Sequence, residues 1–405
     1  MRNFSFRTAF AALALLIIGI WFFAEKVKVN PVDFEYILMG CRIYDLDGKI
    51  VFNSDRGSIC DFTANGERYE LDGGLFNAYD SKVFSQTAVV HHDVKFSPDQ
   101  KSILSIEAEA RNFQGKLVKA DCAVRRNFSG EVEAKWCLHD HVNELLAQGY
   151  SFPASRNLNY LPDMIPTTWE ISHANSLYEI PENALSRENE AMRAGNYIFN
   201  LNLESNLILF IDHDMKKILK VFPMSQFPFP PVGDTVLGFD IANGKSDPGY
   251  QKIIVHDNRV TPDGKILSFA TTTLRKQEPY VEQVLKKAGR PLHDAEVRLE
   301  VLAGHLRRRS SVIKWNPLNP KSDFEIIWIS EETKSIQSSI RGAVTPMING
   351  NYFIFENQEA EPQLFVVAPD RRVVRRFKIP SAGLPIFTAR PFYSTEYLRK
   401  HGVIK

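Results

Sequence analysis

Cysteine is scarce in this 405-residue chain, with only 4. That count excludes a small scaffold built on disulfides. No Cys-x-x-Cys spacing occurs either, which argues against a zinc ribbon. Charge of one sign is equally lacking, because 49 Lys+Arg face 48 Asp+Glu. Without a basic excess, no nucleic-acid partner is expected. A chain that is 44% hydrophobic and 24% charged is too apolar and too balanced to be disordered. No Walker or Rossmann glycine pattern is present, so no phosphate cradle is evident. After residue 30 no apolar run approaches membrane-spanning length.

The one long apolar run lies at the start. Arg2 and Arg7 precede the uncharged stretch Thr8 to Ala24, and Glu25, Lys26 and Lys28 end it. As a helix its 17 residues rise about 25 Å, slightly less than a hydrocarbon core of about 30 Å. A secretory signal peptide and an uncleaved anchor both fit. Phe22-Phe23-Ala24 matches a small-x-small cleavage site poorly, which favours the anchor over residues 1–30. Either way residues 31–405 form an exported soluble body, on the periplasmic or extracellular side of the membrane. Export changes how the cysteines read. Cys122 and Cys137 flank a strand–turn–strand pattern centred on Ser129-Gly130 and sit opposite each other in a symmetric hairpin. A disulfide is expected there, and Cys41–Cys60 is a possible second. Four buried thiols are the alternative.

Short alternating strands recur through the body, separated by Asp47-Gly48, Asn65-Gly66, Ser129-Gly130, Asp263-Gly264 and Asn349-Gly350. Helical periodicity is confined to an insertion near 275–309 and to His141–Gln148. The pattern repeats itself. His92-Asp93 is followed by Ser97-Pro98-Asp99, and His256-Asp257 by Thr261-Pro262-Asp263 at the same offsets. Looser copies start at His173 and Gly342, which sets the starts 81, 83 and 86 residues apart. Each unit holds about four strands and ends on an aromatic residue: Trp136, Phe222, Trp328 or Phe377. Four strands per repeat predict an all-β β-propeller of five or six blades. The hairpins from Tyr36 to Leu71 and a strand near Ile386 to Phe392 close the ring together. Two β-sandwiches are the rival, but they leave the matched His-Asp copies unexplained.

The opening strand of a propeller blade lines the central channel, so His92, His173 and His256 are expected to converge there. At this point the chain resembles the PAPS-independent arylsulfotransferases. The carrying residues are His91-His92-Asp93 with Pro98-Asp99, Trp169 with His173-Ala174-Asn175-Ser176, and His256-Asp257 with Pro262-Asp263-Gly264. Ser310-Ser311-Val312-Ile313, Asn349-Gly350-Asn351 and Thr388-Ala389-Arg390-Pro391 extend the resemblance over residues 40–400. It implies six blades and transfer of a sulfuryl group between a phenolic sulfate ester and a phenol through a sulfohistidine, without cofactor or metal. By motif, His256 resembles the nucleophile, and His92 and His173 resemble the groups that hold the sulfuryl and phenolic oxygens. Asn175 and His91 resemble substrate-binding residues. These roles suit the chemistry. A neutral imidazole is nucleophilic near pH 7, and the charge that spreads over three oxygens needs preorganised donors.

One departure stands out. The family pattern has an Arg within Phe199 to Glu204, and this chain has no cation there. Arg259 is one substitute, although strand parity sets it on the other face from His256. Arg307 to Arg309 is another, with a solvated helix end as its plainer reading. The missing cation keeps a second function in view: a propeller without activity that binds or assembles partners at the membrane. Asp93 and Asp257, next to their histidines, are expected to bond backbone. The insertion near 275–309 reads as a lid or a surface for a protein partner. His139-Asp140-His141 follows Trp136 in an expected loop and lacks further metal ligands in the sequence.

Overall fold

Alternation and X-Gly turns produce hairpins, and the hairpins stack into six sheets. The computed structural model describes residues 32–54, 59–71, 74–85, 88–156, 169–202, 206–224, 227, 250–275, 307–330, 333–334, 341–358, 361–379 and 388–402. The apolar N-terminal segment and the insertion near 275–309, apart from the strand ends at Arg275 and at 307–309, lie outside these residues. Among the described residues no helix is long and apolar enough to cross a membrane.

Blade one pairs the C-terminal strand Ala389–Phe392 with Tyr36–Met39, Arg42–Asp45 and Ile50–Asn53. Blade two is Cys60–Phe62, Arg68–Glu70, Gly74–Phe76 and Lys82–Phe84. Blade three runs Val90–Phe96, Ile103–Phe113, Lys116–Arg126 and Val132–Cys137, with Ser155–Arg156 and Trp169–Glu170 added. Blade four is His173–Glu179, Tyr197–Asn202, Leu207–Ile211 and Ile218–Pro223. Blade five is Tyr250–Val260, Ile266–Arg275, Arg307–Trp315 and Phe324–Ile329, with Thr333–Lys334 beside it. Blade six is Arg341–Pro346, Tyr352–Gln358, Glu361–Val367 and Val373–Phe377. The first-named strand of each blade packs on its neighbours around the axis. The chain is therefore a six-bladed β-propeller. Pairing the last strand with the first hairpin removes an open edge and locks the ring.

The turns behave as their sequences require. Gly66 and Gly264 hold φ of +94° and +79°, a region where a side chain would be strained. The aromatic that ends each unit packs on the next blade. Trp136 meets Phe199 at 5.8 Å, Phe222 meets Trp315 at 5.3 Å, and Trp328 meets Phe365 at 5.5 Å. Each such pair adds about 0.5–1.5 kcal/mol beyond area burial. Disulfides join Cys122 to Cys137 and Cys41 to Cys60. Cys122 and Cys137 are direct cross-strand partners, as the hairpin symmetry predicts.

Two local expectations are corrected. His139-Asp140-His141 lies in the first turn of helix α1, Leu138–Ala147, and not in a loop. Leu138, Val142 and Leu145 bury one face of that helix, so the helical period begins three residues earlier than expected. Arg307–Arg309 opens a strand of blade five instead of ending a helix, with Arg309 opposite Thr272.

Candidate functional site

Three consecutive inner strands are interrupted by β-bulges at or within two residues of the repeat-matched histidines. In blade three, Val90 pairs with Glu107 and Val94 with Ser105, so His91, His92 and Asp93 face Ile106 alone. In blade four the unpaired residue is Asn175, between Ala174 and Ser176. In blade five it is His256, between Val255 and Asp257. A bulge re-aims a side chain that strand alternation would otherwise fix. His92 also holds φ +62°, which costs about 1–2 kcal/mol in a residue with a Cβ.

The bulge of blade three and the first residue of the inner strand of blade four bring three imidazoles into one hydrogen-bonded chain. His91 Nε2 lies 2.9 Å from Asp121 Oδ1, and His91 Nδ1 lies 2.6 Å from His92 Nδ1. His92 Nε2 lies 3.1 Å from His173 Nε2, and His173 Nδ1 lies 3.4 Å from Glu170 Oε2. Four hydrogen bonds need four protons, while three neutral imidazoles carry three. The chain closes only with one added proton. His91 does not hold it, because burial and the nearby Lys119 push its pKa down to about 4.

The surroundings balance that charge. Asp121 is fully buried and accepts from Lys119 Nζ at 3.1 Å, Ser172 Oγ at 2.8 Å and the Ala174 N–H at 2.8 Å. Burial alone would raise its pKa, but Lys119 and His91 outweigh burial and hold it well below the usual carboxylate range. Glu170 is held low against burial by His173 and Lys119, whose Nζ lies 3.4 Å away. Two carboxylates, one ammonium and the added proton sum to zero, which is what a buried cluster requires.

His256 Nε2 lies 3.1 Å from Thr271 Oγ1, and its ring meets the edge of Phe269 at 6.0 Å. Asn175 Oδ1 is buried and has no hydrogen-bond partner among the described residues. The fourth repeat-matched residue, Gly342, packs against the Phe269 ring.

Further along the same strands lies a belt of ion pairs. Asp93 accepts from Lys95 Nζ at 2.6 Å and from the Leu177 N–H of blade four at 3.1 Å. Asp257 accepts from the Val344 N–H of blade six at 3.3 Å and pairs with Arg259 at 3.4 Å. Asp61 accepts from the Phe96 N–H of blade three at 2.8 Å and pairs with Arg390. Asp93 and Asp257 thus bond backbone as expected, but that of the following blade. Lys95 also reaches Asp257 at 3.6 Å, which ties blade three to blade five. This belt borders a cavity of about 310 Å³ lined from all six blades, including Asp61, Lys95, Tyr178, Arg259, Thr345 and Arg390. Arg259 is committed to Asp257 and stacks on Tyr178 at 5.1 Å.

The structure thus joins His91, His92 and His173 directly and sets Asn175 and His256 at bulges in the inner strands of blades four and five. Asp121, Lys119, Glu170, Ser172 and Thr271 escaped the sequence reading. Only Glu170 carried a signal, through its place between Trp169 and His173 in the quoted motif. In the stretch that lacks the family Arg, Asn200 and Asn202 are buried and bonded to blade five, through Asn258 Nδ2 at 2.5 Å and Val255 O at 3.2 Å.

No protein-family model matches this sequence, and no curated protein matches it. Among solved structures, the Dos1 propeller is similar at 8% identity and TM-score 0.30, over 74% of this chain and 64% of that one. The quinohemoprotein alcohol dehydrogenase ADHIIG from Pseudomonas putida HK5 is similar at 11% identity and TM-score 0.33, over 86% of this chain and 49% of that one. The chain spans less than two thirds of either length. Saccharomyces cerevisiae Sqt1 is similar at 11% identity and TM-score 0.29, over 84% of this chain and 90% of that one.

Proposed function

We propose that this propeller transfers a sulfuryl group from a phenolic sulfate ester to a phenolic acceptor through a sulfohistidine at His256. The observation that carries the reading is the chain Asp121–His91–His92–His173–Glu170, which closes with one proton more than three neutral imidazoles carry, while His256 occupies a bulge of the inner strand of blade five. Nε2 lies 3.1 Å from Thr271 Oγ1, and in the tautomer in which it donates there the lone pair of His256 sits on Nδ1. Nδ1 attacks sulfur, the sulfur–oxygen bond to the aryl group breaks, and the leaving phenolate takes the added proton from the histidine chain. The acceptor phenol returns that proton as its oxygen attacks the same sulfur and the nitrogen–sulfur bond breaks. The three sulfuryl oxygens draw on the protonated histidine chain and on the Asn175 amide N–H. The proton leaves and returns within one turnover, so no outside acid or base is consumed.

The apolar segment at residues 1–30 would tether the enzyme on the exported side of a membrane, where its two disulfides persist. One observation favours a second reading, a binding propeller without turnover: the stretch Phe199–Asn202 offers amides bonded to blade five in place of a cation.

The test is incubation of the purified chain with 4-nitrophenyl sulfate and a phenol. Release of nitrophenolate, an SO₃ adduct mapped to His256, and loss of both in His256→Ala are expected. Absence of turnover in the unaltered chain, or turnover that survives His256→Ala, sinks the sulfuryl-transfer reading.

A further inference from the structure

Outside the channel, on the outer half of blade three, four side chains of metal-ligating type meet. One ligand atom each from Glu109, Cys122, Cys137 and His139 lies within 4.8 Å of the others. They come from three strands and a helix start. Glu109 lies on Ile103–Phe113, Cys122 on Lys116–Arg126, Cys137 at the end of Val132–Cys137, and His139 in the first turn of α1. The two sulfurs are joined as a disulfide. In that state His139 is poorly served. Its Nε2 lies between Arg111 Nε at 3.1 Å and Asp140 Oδ1 at 3.0 Å, and its Nδ1 is buried with no hydrogen-bond partner among the described residues.

We infer that this cluster is a redox-gated zinc site, closed as a disulfide and opened by reduction. A dithiol reductant transfers two electrons and two protons to the Cys122–Cys137 bond and is itself oxidised to a disulfide. Zn²⁺ then displaces both thiol protons and takes two thiolates. Sulfur, imidazole and carboxylate ligands suit zinc at about 2.3, 2.0 and 2.1 Å, which sets ligand atoms roughly 3.4–3.8 Å apart. The two sulfurs, bonded to each other in the disulfide, part on reduction, while Glu109 and His139, already within 4.8 Å, draw in. His139 ligates through Nδ1, which sets its proton on Nε2. Asp140 Oδ1, 3.0 Å from Nε2, accepts it and fixes that tautomer. Cys137 is the cap residue that precedes α1, so its thiolate faces the positive end of a ten-residue helix. Glu109 keeps the Lys135 contact through Oε1 and ligates through Oε2, which exchanges its Arg111 contact for the metal.

The experiment uses the full chain with Co²⁺ as a spectroscopic probe, then Zn²⁺ in competition. After reduction with a phosphine, one Co²⁺ per chain is expected, with thiolate-to-cobalt bands in the near ultraviolet and d–d bands typical of tetrahedral geometry. The oxidised protein gives neither set of bands. His139→Ala and Glu109→Gln weaken Co²⁺ binding more than about 10-fold, while both retain the oxidised disulfide as a check on folding. Cys122→Ser/Cys137→Ser abolishes the bands, which separates this pair from Cys41–Cys60. Equal cobalt binding before and after reduction overturns the proposal. So do reduced spectra without thiolate bands, or unchanged affinity in His139→Ala. None of these readouts depends on sulfuryl transfer.

Discussion

Lys95 is the bond that holds three blades to one another, and replacing it with Met is a direct test of the ion-pair belt. Its side chain is 10% exposed, and its ammonium touches Asp93, Asp257 and the Leu177 carbonyl. Asp257 keeps Arg259 and the Val344 N–H after the change. Asp93 keeps only the Leu177 N–H and the more distant field of Arg259. Removing one partner of a buried pair costs about 3–5 kcal/mol, and the remaining arginine places this case near 3. The loss should depend on pH. Burial raises the pKa of Asp93 even in the intact protein, against the pull of Lys95. A raised carboxyl means that the folded state binds the proton more tightly than the unfolded chain. Its contribution to stability therefore falls as pH rises from the ordinary Asp value through the raised one. Without Lys95 the raised value climbs further, so the penalty should be larger at pH 7.5 than at pH 5. Urea unfolding at the two pH values measures this. The double variant Lys95→Met/Asp93→Asn should recover most of the loss, because no uncompensated charge remains. A cost below about 1 kcal/mol that is equal at both pH values, or a double variant no better than the single one, refutes the reasoning.

Two further outcomes follow from the same coordinates. Native His91 stays neutral down to about pH 4, while the unfolded histidine takes a proton near 6.5, so stability is lost as pH falls through that window. The difference corresponds to about 3 kcal/mol; His91→Gln should flatten this limb in pH-dependent urea unfolding, and an unchanged slope would show that His91 is not held neutral. Gly342→Ala sets a methyl group against the fully buried Phe269 ring and should cost about 1–3 kcal/mol. Thermal melting checks it, with partial rescue expected from Phe269→Leu; a melting temperature equal to that of the unaltered chain would mean that the ring moves freely.

The sequence made the repeat legible because propeller blades reuse one solution. Each unit needs an inner strand, an X-Gly turn and a terminal aromatic, and these leave marks at fixed offsets. Trp136, Phe222 and Trp328 could be paired with the ends of blades before their partners were known. The histidines were legible for the same reason, being matched across copies. The supporting groups were not. Asp121 sits mid-strand, next to Cys122, and nothing in its local sequence says that a neighbouring inner strand will aim two histidine-linked bulges at it. Parity arguments also failed where bulges intervened. A rule that alternates side chains along a strand breaks at His91–Asp93, Asn175 and His256, so the faces of the residues beyond each bulge could not be read by counting.

The two layers of the channel are mechanically one device. Asp93 and Asp257 immediately follow His92 and His256 in sequence, and each is pinned to the backbone of the following blade. The spacing between blades three and four therefore sets the His92–His173 distance of 3.1 Å, one link of the hydrogen-bonded chain. Blade six offers no fifth imidazole, because the Phe269 ring that touches His256 fills the space beside Gly342. The histidine chemistry is thereby confined to the side of the channel formed by blades three, four and five. Any change that loosens the belt should reach the proton chain before it unfolds the ring. In Lys95→Met the histidine-linked ionisation should shift at temperatures where the blades still melt as one unit. Histidine ¹⁵N spectra that match those of the unaltered protein, in a variant destabilised by the expected amount, would show that belt and proton chain are uncoupled.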